Sequence, residues 1–150
     1  MYKIYSHRVL VLSSDVDVNG HANNVCHLRW MNSAAVEHSR VNGWSPERYI
    51  ELGETWFARR HTIDYLSPVL EGDELDIQTW ISELKVIRSV RKYRFIRVSD
   101  GAIIAEAETL WAFVNLKTGR PTKIPNEVTD CFFATENPKN ENKKISTEKI

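Results

Sequence analysis

Bulky and β-branched residues crowd positions 2–13 (YKIYSHRVLVLS) and predict a first strand. A polar stretch covers 14–23, and then the period lengthens. Leu28, Met31, Ala35 and His38 recur at steps of 3, 4 and 3, so they share one face of a helix running from Asn24 to about Asn42. Asn23 or Asn24 suits its cap and Gly43 its end. Val25, Ala34 and Val36 widen the apolar stripe, and a helix apolar on several sides is most simply wrapped by a curved sheet. "SPERYIELG" predicts a short second helix, with Ser45 as cap, Pro46 in the first turn and Gly53 closing it.

From residue 55 onward the period is two. Segments 55–66, 73–84, 87–99 and 102–116 predict four long strands, separated by "SPVLEGD", a break near Lys85, and "SDG" at 99–101, a good hairpin turn. "KTGRP" at 117–121 marks another turn, and Pro125 opens a short helical turn toward Phe133. Strands that follow one another without intervening helices imply an antiparallel sheet. The class is therefore α+β, with one central helix covering about five strands and the remaining edge or face left for another subunit. Residues 1–133 form the expected single domain. The polar tail 134–150 lacks apolar periodicity and is expected to be disordered.

The 150 residues suit one domain, and 42% apolar with 27% charged residues is ordinary for a globular protein. Twenty basic and twenty acidic residues cancel, which removes the basic surplus a nucleic-acid binder needs. No apolar run reaches the roughly 18 residues of a membrane span. "MYKIYSHRVL" has neither the basic nor the apolar region of a secretory signal. Cys26 and Cys131 form no disulfide framework, so a cytoplasmic location is expected, without nucleic-acid or membrane partners.

The chemistry concentrates in "SSDVDVNGHANN", residues 13–24, between the first strand and the long helix. Asp15, Asp17, Asn19 and Gly20 match the opening of a calcium loop, but Cys26 stands where that loop requires a glutamate, and a strand precedes it. Asp15, Asp17, His21, Cys26 and His27 offer metal-ligand atoms at a spacing that fits no zinc pattern. Cys26 near a helix start, with His21 or His27, offers a nucleophile; the plainer reading is a small buried helix residue. A further reading is hydrolysis. Unpaired amides at the helix start would hold an oxyanion, and Asp17 just upstream would activate water or attack directly. Asn19 and His21, at alternate positions, would orient it, and Gly20 would permit a close approach or positive φ. The bland alternative is a well-capped turn.

A resemblance bears on that choice. Asp17, Val18, Asn19, Gly20, His21, Ala22, Asn23 and Asn24 resemble the Asp-Val-Asn-x-His-x-Asn-Asn motif of the acyl-ACP thioesterases, a branch of the hotdog-fold thioesterases. Asp15, Asp17, Gly20, Arg29 and Trp30 are similar to the corresponding stretch of bacterial 4-hydroxybenzoyl-CoA thioesterases. The likeness is specific at 15–24 and looser over the rest, where "IDYLSPVLEGDELDI" at 63–77 also looks like the family's strand connection. It implies a single hotdog domain, a long central helix wrapped by a five-stranded antiparallel sheet. It implies Asp17, Asn19 and His21 as the catalytic set, with Asp17 corresponding to the catalytic aspartate of both branches. The plant acyl-ACP enzymes carry two hotdog units and this chain has room for one, so the resemblance implies a homodimer or homotetramer. Their additional glutamate has no clear counterpart; Asp64 lies near its place. The benzoyl-CoA enzymes carry an apolar residue where His21 stands.

The resemblance thus implies hydrolysis of an acyl-CoA or acyl-ACP to a carboxylic acid. A thioester has a good leaving group, so no metal or cofactor is expected. Asn24 and Val25 at the helix start, and Trp30, Met31, Trp56 and Phe57 as an apolar slot, are the expected acyl contacts. Arg59 and Arg88, with Arg60, Arg91 and Lys92, are candidates for the carrier's phosphates or acidic surface. For any one of these residues, ordinary core or scattered surface charge is the plainer role. Two rival functions remain: a binding-only hotdog module and a hydroxyacyl-thioester dehydratase.

Overall fold

The computed structural model describes residues 3–133. Its elements run β1 (Tyr5–Leu10), a 3-10 turn (Ser13–Asp15), α1 (Asn24–Val41), α2 (Pro46–Leu52), β2 (Glu54–Tyr65), β3 (Glu74–Leu84), β4 (Arg88–Arg97), β5 (Ile103–Asn115) and α3 (Asn126–Cys131). The five strands form one sheet in the order β1-β3-β4-β5-β2, antiparallel throughout. β3, β4 and β5 are a meander, and β1 and β2, distant in sequence, close its two edges. This is the predicted α+β architecture, a long helix against a five-stranded sheet. The predicted tail, 134–150, lies outside the described residues.

α1 keeps the predicted limits and turns three of the four predicted positions inward, Met31, Ala35 and His38, as part of a broader stripe. Its buried residues are Cys26, His27, Trp30, Met31, Ala34, Ala35, His38 and Ser39, in pairs one turn apart. Leu28, placed on the buried face by its spacing, lies on the rim. The large side chain of Trp30 takes the inward position, and pairs at i, i+1, i+4, i+5 fill a broader groove than a single row does. Cys26, Trp30, Met31, Ala34 and Ala35 pack on Leu75 and Ile77 of β3, Tyr93 and Phe95 of β4, and Ile104 and Ala105 of β5. A second cluster closes the far end: Trp44 and Tyr49 around α2 meet Ile81, Phe113, Ile124, Val128 and Phe132. Register shifts between Ala58 and Arg60 in β2 and between Ile81 and Glu83 in β3 mark bulges, which bend the sheet around the helix.

β1 stops at Leu10, short of the predicted Ser13, because the chain turns away there. The Val11 amide donates to Asp73 O at 2.9 Å, and Gly72 donates back to Val11 O at 2.9 Å, so residue 11 belongs to the β2–β3 connection. Among the described residues the other edge is bare: β2 pairs there only with β5, and Phe57 and Tyr65 on it are exposed.

Candidate active site

The loop 13–24 folds as two locked pieces. Asp15 is buried, and its Oδ2 accepts from the Leu12 amide at 2.9 Å while Oδ1 meets Arg29 Nη2 of α1. Its carbonyl accepts from the Asn23 amide at 2.8 Å. The first acid of the motif is therefore a latch between β1, the loop and α1. The Leu12 amide, above all, holds its carboxyl below the usual aspartate range, with Arg29 adding to the effect. A carboxylate with a lowered folded pKa stabilises the protein above its unfolded range, and that contribution disappears as pH falls through the folded value. Asp15→Ala is expected to cost about 1–3 kcal/mol at neutral pH. In urea titrations its deficit should shrink in strong acid; a deficit that grows there would contradict the latch.

Residues 16–22 form a small hairpin. Val16 and Ala22 bridge, the Asp17 amide donates to His21 O at 2.9 Å, and the Gly20 amide donates to Asp17 O at 3.0 Å. Gly20 has φ +79°, the left-handed conformation that this tight turn requires. Asp17 Oδ1 accepts from the Asn19 amide at 2.9 Å, while Oδ2 has no partner among the described residues. The hairpin is moored to the β2–β3 connection by the Ala22 amide, which donates to Val69 O at 2.7 Å.

Asn23 caps α1. Its Oδ1 accepts from the Val25 amide at 3.0 Å and its carbonyl from the Cys26 amide at 2.9 Å. Of the first-turn amides, Asn24 N–H is left without a partner among the described residues, at the positive end of an 18-residue helix. Beside it lies a cleft of about 200 Å³ lined by His21, Asn24, His27, Tyr65, Ser67 and Val69, among others. The Tyr65 hydroxyl donates to Asn24 O at 3.1 Å and forms one wall.

Of the three expected catalytic residues, His21 lines the cleft, whereas Asp17, half-buried, and the exposed Asn19 sit on the hairpin away from its walls. Asn24 lines the cleft, and Val25 is exposed at the helix start. Trp30 is buried in the core, Trp56 borders a different cavity, and Phe57 is exposed on edge strand β2. Arg59 and Arg88 are exposed; Arg91, grouped with them by sequence, is buried. Asp64 lines a separate pocket of about 390 Å³ with Trp80, Arg94 and Glu106, not the cleft. Cys26 is buried, and burial raises its thiol pKa, so it packs as a protonated thiol against Asp15 O at 3.6 Å. Among the described residues no three His, Cys, Asp or Glu side chains are grouped to hold a metal, and no helix is long and apolar enough to cross a membrane.

His27 was weighed by sequence only as a metal ligand or cysteine partner. Among the described residues neither ring nitrogen has a hydrogen-bond partner, and the ring lies among Trp30, Tyr65 and Phe95 at centroid distances of 5.4, 4.8 and 5.5 Å. Burial lowers its pKa, and the Asn23 carbonyl nearby offsets part of that. It forms the neutral back wall of the cleft. Its place one turn after the cap was the one available signal; Tyr65 and Ser67 reach the cleft only through the tertiary fold.

The family model described as "Thioesterase-like superfamily" matches residues 11–132. This chain belongs to that superfamily. Within it, an acyl-CoA thioester hydrolase of Escherichia coli is 23% identical over 124 residues, covering 83% of this chain and 92% of that protein. A chloroplastic acyl-[acyl-carrier-protein] hydrolase of Cuphea viscosissima is 37% identical over 57 residues, covering 38% of this chain but 14% of the plant protein. The crystal structure of a 1,4-dihydroxy-2-naphthoyl-CoA thioesterase from Synechocystis superposes with a TM-score of 0.83 at 18% identity, over 90% of this chain and 99% of that one. The fold of this superfamily member is thus that of the hotdog thioesterases.

Proposed function

We propose that this thioesterase-like protein hydrolyses acyl thioesters of CoA or acyl carrier protein, with Asp17 as general base or nucleophile. The observation that carries the reading is the unpartnered Asn24 amide at the start of α1, one short hairpin away from an aspartate with a free carboxylate oxygen. As a base, Asp17 takes a proton from water while the oxygen adds to the thioester carbonyl. The oxyanion that forms accepts from Asn24 N–H, favoured by the helix dipole. Collapse expels the carrier thiolate, which is protonated to the thiol, leaving the carboxylic acid. Asn19 and His21 orient the water. Arg59 and Arg88, both exposed, suit the phosphates of CoA or the acidic face of a carrier protein.

Asp17 and Asn19 stand outside the cleft of one chain, which favours a site completed between two copies. β2 supplies the means: a long, unpaired edge with Phe57 exposed is a template for the same strand of a second protomer. Sedimentation is expected to give a dimer or tetramer at micromolar concentration; a monomer would remove this part of the proposal. Activity is tested with octanoyl-CoA and a thiol dye. Free CoA above the uncatalysed rate supports hydrolysis, and its absence leaves a binding module. Enoyl absorbance from a 3-hydroxyacyl-CoA would indicate a dehydratase instead.

A further inference from the structure

A second cavity, also about 200 Å³, lies between the later turns of α1, α2 and the sheet. Its α1 residues, 32 to 39, sit about 12–22 Å along the helix from Asn24 at a rise of about 1.5 Å per residue. It is therefore separate from the candidate active site. Its walls are aromatic: Trp44, Tyr49, Trp56, Trp111 and Phe132. An engineered apolar cavity of roughly 150 Å³ takes benzene, so this one holds a single ring or a short chain.

Two lining groups do not fit an apolar pocket. Arg91 of β4 is 5% exposed and Ser89 2%. Strand alternation points both inward, in line with Tyr93 and Phe95. Arg91 Nη1 donates to His38 Nδ1 at 2.9 Å and to Thr79 Oγ1 at 3.0 Å, and neither partner carries a compensating charge. His38 is held neutral, its pKa pushed down to about 2 by burial first and by Arg91 next. The acidic groups near Arg91 are the Tyr93 and Tyr49 phenols and the Cys131 thiol. Burial raises all three, Cys131 to about 11, so all are neutral at pH 7. No carboxylate pairs with Arg91 among the described residues, and its two side-chain hydrogen bonds there both run through Nη1. The Ser89 hydroxyl is buried with no partner among the described residues. By contrast, three other lining side chains satisfy one another: Trp56 Nε1 donates to the Tyr49 hydroxyl at 3.0 Å, which meets Ser39 Oγ at 3.1 Å, which donates to Trp44 O at 2.7 Å. An isolated buried cation costs several kcal/mol unless an anion compensates it. A lone hydroxyl beside it adds a donor for the same anion.

We propose that this cavity is a binding site for an organic carboxylate with an apolar or single-ring body, its carboxylate meeting Arg91 and Ser89 and its body lying among the tryptophans. The planar guanidinium, whose bonds to His38 and Thr79 both use Nη1, can meet a carboxylate in bidentate geometry through its other nitrogens. An uncharged acyl chain or ring of the same size would leave the charge uncompensated.

The test is titration of the full chain with benzoate and octanoate and with their amides, followed by fluorescence of the cavity tryptophans. The acids are expected to bind at least roughly tenfold more tightly than the amides, as charge-assisted pairing requires. Arg91→Met should abolish that preference while its Tm holds or rises, since an apolar side chain of similar length removes a buried charge. Ser89→Ala should weaken the acids without affecting the amides. Equal binding of acid and amide, or no binding of either at millimolar concentration, overturns the proposal. Both readouts need only the wild-type chain, so they stand even if Arg91→Met fails to fold.

Discussion

Asp17→Asn is expected to lower kcat/KM for acyl-CoA hydrolysis by about 10²–10⁴-fold, the usual contribution of a general base. Loss of the larger amount would be natural if the carboxylate is itself the nucleophile. The fold should survive. The side-chain oxygen that accepts from the Asn19 amide is kept in asparagine, and the main-chain contacts of Asp17 with His21 and Gly20 do not involve the side chain. Circular dichroism and the unfolding midpoint should therefore match wild type. Near-wild-type turnover in the variant would remove Asp17 from the chemistry. Asp15→Asn is the useful contrast, because Asp15 is engaged by Leu12 and Arg29 and has no role in the proposed reaction. Its penalty should appear in stability first.

Phe95→Ala is expected to be the most destabilising single truncation near the site, about 3–5 kcal/mol from lost burial plus the cavity left behind. Phe95 is fully buried on β4, packs in the core that α1 covers, and stacks on His27 with an interplanar angle of 22°. Removing it takes away the support behind the cleft as well as core volume. Denaturant unfolding should show the loss directly, and the active fraction should fall at temperatures where wild type is unaffected. A cost under about 1 kcal/mol would mean that the helix and sheet close over the gap, and that His27 needs no support from β4.

The elements were legible because their periods are clean. The change from a 3.6-residue to a two-residue repeat after Gly53 marks where α2 gives way to the long strands, and each predicted helix and long strand begins or ends within about two residues of its place. What escaped was tertiary. Leu28 and Trp30 are two residues apart on one helix, and spacing alone could not say which faces the sheet. In the strand "RSVRKYRFIR" alternation divides the basic residues between two faces; Arg91 goes inward with Ser89, Tyr93 and Phe95, and only the covering helix shows which half is buried. The loop 15–24 was conspicuous as a motif, and the separation of Asp15 as latch from Asp17 as free carboxylate depends on Leu12 and Arg29, whose approach no local rule announces. Tyr65 and Ser67 reach the cleft because Val69 O anchors the hairpin to the β2–β3 connection, a contact across 47 residues.

A crystal structure with a ketone analogue of acyl-CoA, in which a methylene replaces the thioester sulfur, bears most directly on the proposed hydrolytic centre. The carbonyl oxygen is predicted to lie about 2.7–3.1 Å from Asn24 N, the distance of a working oxyanion donor. The carbonyl carbon should face Asp17 directly or through one water. An analogue bound with its carbonyl remote from both groups would contradict the assignment.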